Sequence, residues 1–196
     1  MMSKVCQHIC MVRHGQTDWN LAGRLQGRED IPLNQTGILQ AEECALAIKQ
    51  KLDRAWAAIV TSPLKRARQT AEVIARIVDV GVLIDDMDLC ERDYGKASGM
   101  TAEERGRIYP DGMYEGLEDW DVLKARVHRA VIKAADDFSP RDLLIVSHGH
   151  AISSIIPELQ TGGSVRLKNA SISMFTYKKP SLVTVFYNKT HDELGD

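Results

Sequence analysis

The sequence predicts an α/β fold in which helices cover both faces of a mostly parallel central sheet. Short apolar runs alternate with helical stripes along the chain, as successive βαβ units require. Two of those runs also end abruptly in polar residues. "ICMVRHG" stops being apolar at Arg13 and His14, and "LLIVSHG" stops at His148. A packed core has no use for either ending, but the carboxyl edge of a parallel sheet is where such folds place their sites.

Each element has its own warrant. Residues 5–12 form an apolar run of strand length. In "PLNQTGILQAEECALAIKQKL", Ile38, Ala41, Ala45, Ile48 and Leu52 fall on one helical face, and Asn34 is placed to cap it. "WAAIVTS" is a second strand. It runs into "SPLKRARQTAEVIARIV", where Ser62 is expected as the cap, Pro63 as the first helical residue, and Leu64, Ala67, Ala71, Ile74 and Val78 as the buried stripe. A third short strand is expected at 82–84. Residues 85–117 are irregular, with one short helix at 101–108, and the wider 85–120 region is expected on the substrate side. A longer helix follows at 118–137 and a strand at 143–147. The helix that starts near His150 should end at about Ile156, before Pro157. "SISMFTYK" and "LVTVFYN" then read as a hairpin.

Composition narrows the function. The chain has 196 residues, of which 44% are hydrophobic and 27% charged, with no repeat and no low-complexity linker, so a single domain over 1–196 is expected. A net charge of −2 gives no reason to expect a nucleic-acid or membrane-surface partner, and no run approaches transmembrane length. Cys6, Cys10, Cys44 and Cys90 show no paired spacing, which fits a reduced, cytoplasmic protein. "HDEL" at 191–194 is followed by two more residues, so it is not a terminal retention signal.

The residues expected at the sheet edge are Arg13, His14, Asn20, Arg66 and His148, with Glu91 from the irregular stretch "LCERDYG". Arginine forks match phosphate oxygens, and a neutral imidazole nitrogen is a good nucleophile near pH 7. Together they suit a compact dianion. Asn20 could bind phosphate or only cap a turn. Arg92 and Tyr94 could line the substrate side or only pack the loop.

In order and spacing, "VRHGQTDWN", "TSPLKRARQTAE", "CERDYG" and "VSHG" strongly resemble the histidine phosphatase superfamily, in its phosphoglycerate mutase-like branch, over nearly the whole chain. The resemblance implies a three-layer α/β/α fold and a phosphohistidine intermediate, with no metal and no cofactor. It implies that His14 is the nucleophile, that Arg13, Arg66 and His148 form the phosphate pocket, that Asn20 is a further phosphate ligand, and that Glu91 is the proton donor.

Two metal readings compete. Cys6, His8 and Cys10 alternate on one strand, but structural zinc sites take a second pair of ligands that is missing here. "HGH" at 148–150 matches the H-x-H of metal hydrolases, without the Asp/His set that would complete a shell. Neither reading matches the chemistry of two arginines.

The expected function is therefore hydrolysis of a small phosphorylated metabolite, and the resemblance to family members of this size implies α-ribazole phosphate, phosphoserine or a sugar phosphate. The alternative is a cofactor-dependent phosphoglycerate mutase. Mutases that resemble this chain carry a longer insertion after the Glu-Arg-x-Tyr-Gly stretch, with basic residues for the substrate carboxylate. Here that region is short and holds Asp111, Glu115, Glu118, Asp119 and Asp121. If this acidic stretch overhangs the pocket, neutral or zwitterionic leaving groups should be preferred. A non-catalytic phosphate-binding module should have lost one of the central residues, and none is lost. Oligomeric state is not legible.

Overall fold

A computed structural model describes residues 6–159 and 166–194. Its six-stranded sheet runs in the order β3-β2-β4-β1-β5-β6. The strands are β1 (Gln7–Arg13), β2 (Trp56–Thr61), β3 (Leu83–Asp85), β4 (Asp142–Ser147), β5 (Ile172–Lys178) and β6 (Ser181–Lys189). The pairings β1/β4, β2/β4 and β2/β3 are parallel, whereas β5 runs antiparallel to β1 and β6 antiparallel to β5.

Alternation along the strands sends side chains to two separate cores. Ile9, Met11, Val60 and Ile145 pack under helix α5 (Trp120–Phe138), where Leu123, Val127 and Val131 meet them. Cys10, Val12, Ile59 and Val146 pack on the opposite face under α2 (Gln35–Lys51) and α3 (Lys65–Val78), against Ala45, Ile48, Ala71 and Ile74. Central strands covered on both faces are apolar throughout, which is why they read as continuous runs.

Register brings the site together. Arg13 pairs with Ser147 across β1/β4, and Thr61 pairs with Val146 across β2/β4. The next residue on each strand is His14, His148 and Ser62, so three polar side chains leave one edge side by side.

Several boundaries differ from the sequence reading. Pro63 is not the first helical residue, since α3 begins at Lys65 with Leu64 as an N-cap that makes no side-chain bond. Ser62 does receive the Leu64 N–H, at 3.3 Å, but its hydroxyl lies 2.8 Å from His148 Nε2 and serves the site. The third strand sits one residue later than expected. Helix α6 (Gly149–Ser153) stops short of Ile156, consistent with the bias of residues before Pro157 away from helix. A four-residue helix, α1 (Asp18–Leu21), has no counterpart in the periodicity because it is one turn long. Thr17 and Asn20 close it with a reciprocal capping box. The short helix expected at 101–108 is α4 (Ala102–Ile108), capped in the same way by Thr101 and Glu104.

The loop carrying His14 is pinned by α2. A Cβ on Gly37 would stand 2.0 Å from the Gln16 carbonyl oxygen, and one on Gly15 would stand 2.3 Å from the Gly37 oxygen. Both contacts are backbone to backbone, so no side chain can yield. Gly37→Ala is expected to cost about 1–3 kcal/mol, as overpacking does. For a chain of this size that is roughly 2–4 °C of Tm per kcal/mol. A calorimetric scan of the variant checks it, and an unchanged Tm would mean that the helix can retreat freely.

Candidate active site

A cavity of about 430 Å³ opens at this edge, lined among others by Arg13, His14, Asn20, Arg66, Glu91 and Tyr94. His14 is 2% exposed. Its Nδ1 lies 2.7 Å from the Gly15 carbonyl oxygen. A carbonyl can only accept, so Nδ1 carries the hydrogen and Nε2 keeps a lone pair. Burial holds the imidazole well below its ordinary pKa of 6.5, and Arg66 and then Arg13 add to the effect. The ring therefore stays neutral through physiological pH.

Arg66 is fully buried. Its Nη1 donates to Glu29 O at 2.6 Å, Nη2 to Gly27 O at 2.8 Å, and Nε to His148 Nδ1 at 3.2 Å. Three of its five N–H groups are thus used in fixing it, and two remain. Arg13 donates through Nη1 to the Leu167 carbonyl, while its buried Nε has no partner among the described residues. Desolvation pulls the Arg13 pKa down to about 10, which still leaves it a cation at neutral pH.

Glu91 stands on the 85–120 region, held by its neighbours. Oε1 accepts the Arg92 and Ala151 N–H groups at 2.9 and 3.1 Å, and Oε2 accepts that of His150 at 3.3 Å. The carboxyl group thereby caps the first turn of α6. Arg126 fastens the segment from behind, donating to the carbonyls of Asp88, Cys90 and Glu91 and to both oxygens of Glu118.

Asn20 lines the cavity and also closes its turn. Its Oδ1 accepts from Thr17 N and from Asn169 Nδ2. His148 differs from the expectation that it sits in the pocket wall. It is fully buried behind His14, with ring centroids 5.1 Å apart, and is not among the lining residues. Since Nδ1 accepts from Arg66, Nε2 carries the hydrogen and donates to Ser62 Oγ. Both nitrogens are spent inside the protein. Arg92 also stays out of the wall. Its Nε donates to Glu118 O at 2.8 Å and its guanidinium lies 5.5 Å from the Trp120 ring centroid. Tyr94 lines the cavity with its hydroxyl hydrogen-bonded to His150 Nδ1.

None of the acidic side chains of the 111–121 stretch lines the cavity, although Trp120 does. Glu115 pairs with Lys96, Glu118 with Arg126, and Asp111 and Asp119 each accept a local backbone N–H. The wall is cationic instead: Arg24, Arg105 and Arg166 join Arg13 and Arg66, against Glu91 as the one carboxylate among the described lining residues. Sequence reasoning missed Arg24, Arg105, Arg166 and Trp120, which lie in no motif and reach the site only through the tertiary fold. It also missed Asn169, whose Nδ2 donates to both His14 O and Gly15 O at 3.2 Å. On the metal readings, His8 is engaged by Arg54 and Asp142 at the far end of β1, and Cys10 packs with Cys44 in a core.

A family model for the histidine phosphatase superfamily (branch 1) matches residues 9–190. The chain belongs to the histidine phosphatase superfamily. This histidine phosphatase is 41% identical over 184 residues to "Uncharacterized phosphatase PhoE" of Bacillus subtilis (strain 168), covering 92% of this chain and 93% of that one. It is 32% identical over 189 residues to "Probable phosphoglycerate mutase GpmB" of Cronobacter sakazakii, covering 87% and 85%. Among solved structures it superposes with a TM-score of 0.79 and 27% identity on the phosphoserine phosphatase of Entamoeba histolytica in complex with 3-phosphoglyceric acid, covering 94% and 98%.

The buried imidazoles link pH to stability. His14, His148 and His150 are all held below 6.5 in the folded protein, chiefly by burial. Below that pH the unfolded chain binds protons that the folded chain refuses. Their contribution is therefore complete above about 6.5 and is lost as pH falls. Each histidine adds a slope of up to about 1.4 kcal/mol per pH unit. Urea midpoints measured from about pH 8 to pH 5 should decline through this window. A flat profile would show that the rings are charged in the folded state.

Proposed function

We propose that this histidine phosphatase is a metal-independent phosphomonoesterase for a small phosphorylated metabolite, working through a phosphohistidine on His14. The observation that carries the reading is the His14 tautomer. The Nδ1–H bond to Gly15 leaves Nε2 as a lone pair beside two buried guanidinium groups.

In the first step His14 Nε2 bonds to phosphorus as the ester P–O bond breaks, and Glu91 gives its proton to the departing oxygen. Oε2 suits that proton, because it has one long N–H contact where Oε1 has two shorter ones. In the second step water attacks phosphorus, the P–N bond breaks, and Glu91 takes the proton from the water. Arg13, the two spare N–H groups of Arg66, and Asn20 hold the phosphoryl oxygens as charge moves between attacking and leaving atoms. These cations supply the counter-charge that a divalent ion would otherwise bring. His148, with Ser62 behind it, orients Arg66 and packs against the nucleophile. A cytoplasmic location and a single domain over 1–196 belong to the same proposal.

Brief incubation with a ³²P-labelled phosphomonoester, quenched before turnover is complete, tests the reading. The label is expected on His14 in an acid-labile, base-stable form. Label stable to acid, or on another residue, would overturn it. Product analysis in the same reaction separates hydrolysis, which releases free phosphate, from mutase transfer to a second alcohol.

A further inference from the structure

In the reaction proposed above, Asn20 can hold a phosphoryl oxygen only through the nitrogen of its carboxamide. The amide oxygen in the same place would repel the dianion. Its partners fix the amide the right way round. Asn20 Oδ1 lies 3.2 Å from Thr17 N and 3.1 Å from Asn169 Nδ2. Both partners can only donate, so the atom between them must be the oxygen. The Thr17 hydroxyl, 3.2 Å away, tolerates either end of the amide, because it can donate or accept. Asn20 Nδ2 has no partner among the described residues and is left for a ligand in the cavity that Asn20 lines.

Asn169 cannot itself be turned around. Its Nδ2 also donates to the carbonyls of His14 and Gly15, both at 3.2 Å, and a carbonyl only accepts. Gly15 O is the same oxygen that takes the hydrogen of His14 Nδ1. One half-buried amide thus joins the backbone at the nucleophile to the side chain of a phosphate ligand. A tight turn delivers it at the entry to β5. Ser171 N–H donates back to Lys168 O at 3.2 Å, and Ala170 has a φ of +53°, which residues other than glycine rarely adopt. The same turn aims Ala170 N–H at His14 O and sets Leu167 O against Arg13 Nη1. Backbone strain of this kind persists where surrounding contacts over-determine it, most often at functional sites.

We propose that Asn169 is a positioning residue, which locks the Asn20 carboxamide with its NH2 group toward the phosphoryl oxygens. Orientation passes from two backbone carbonyls to Asn169, and from Asn169 to Asn20. Without Asn169 the Asn20 oxygen keeps one backbone donor, Thr17 N at 3.2 Å, and the amide turns over more easily. Asn169 is not among the described residues that line the cavity, so it acts through Asn20 and not on the ligand. The inference rests on the phosphate role proposed for Asn20.

A double-mutant cycle on the binding of inorganic phosphate, read by calorimetry, tests it. Asn20→Ala should weaken phosphate binding by roughly tenfold or more, as loss of one hydrogen bond to a charged group implies. Asn169→Ala alone should lose most of the same factor. In the Asn20→Ala background, Asn169→Ala should cost nothing further, because no amide is left to orient. A merely structural role would lower affinity in both backgrounds alike. Asn169→Leu, close to asparagine in shape but without donors, takes the place of alanine if that variant folds poorly. Equal losses in the two backgrounds would overturn the inference, as would an unchanged Kd in either single variant. Phosphate binding needs no turnover, so the phosphohistidine reading fails separately, by the absence of acid-labile label.

Discussion

Replacing His14 with alanine is expected to remove the acid-labile label and to lower turnover by roughly four to six orders of magnitude, the scale on which deleting a covalent nucleophile acts. The effect is large because nothing near can substitute. His148 sits 5.1 Å away, but both its ring nitrogens are committed, to Arg66 and to Ser62. Arg13 and Arg66 carry no lone pair to offer. The fold should survive, since His14 is held mainly through its backbone: its N–H donates to Ser147 O, and its carbonyl accepts from Ala170 N and Asn169 Nδ2. A His14→Ala protein that still took up acid-labile label would sink the nucleophile assignment.

The second large effect isolates Glu91. An alkyl alcohol departs as a strongly basic alkoxide unless a proton reaches it in the transition state, whereas p-nitrophenolate hardly needs one. General-acid catalysis is worth about 10²- to 10⁴-fold. Glu91→Gln should lose about that much in the burst phase with alkyl phosphates, and far less with p-nitrophenyl phosphate. Single-turnover rates are needed because the second step uses Glu91 again, as a base. The glutamine oxygen can still accept the N–H bonds that Arg92 and Ala151 give to Oε1, and only the longer one from His150 to Oε2 is lost, so the start of α6 should stay in place. Equal losses for both substrates would make Glu91 a structural cap and not a proton donor.

The centre of the site was legible in the sequence for a physical reason. His14, Ser62 and His148 each follow a strand, and parallel register aligns the ends of β1, β2 and β4. A residue placed just after an apolar run therefore has a position that pattern alone can read. The family motifs add Arg66 and Glu91 to the same list. The helices were legible for a similar reason, since α2, α3 and α5 must turn one apolar stripe to the sheet, and periodicity records it.

What pattern could not reach was the partner of each side chain. Nothing local in "VSHG" says that both nitrogens of His148 are consumed by Ser62 and Arg66. Those partners lie 86 and 82 residues away in sequence. Arg92 and Tyr94 are two residues apart in one motif, yet only Tyr94 lines the cavity. Arg92 is drawn off by Glu118 O and Trp120. The acidic stretch misled for the same reason. Counting its charges showed that they exist but not that Lys96, Arg126 and local backbone N–H groups absorb them. By itself, the order of apolar runs and their polar endings determined the sheet, its working edge and the residues at its centre. Only tertiary contact decided which of those side chains stay free to act and what charge surrounds them. A side chain's chemistry depends on its hydrogen-bond partners, and those come from segments that folding, not sequence, makes neighbours.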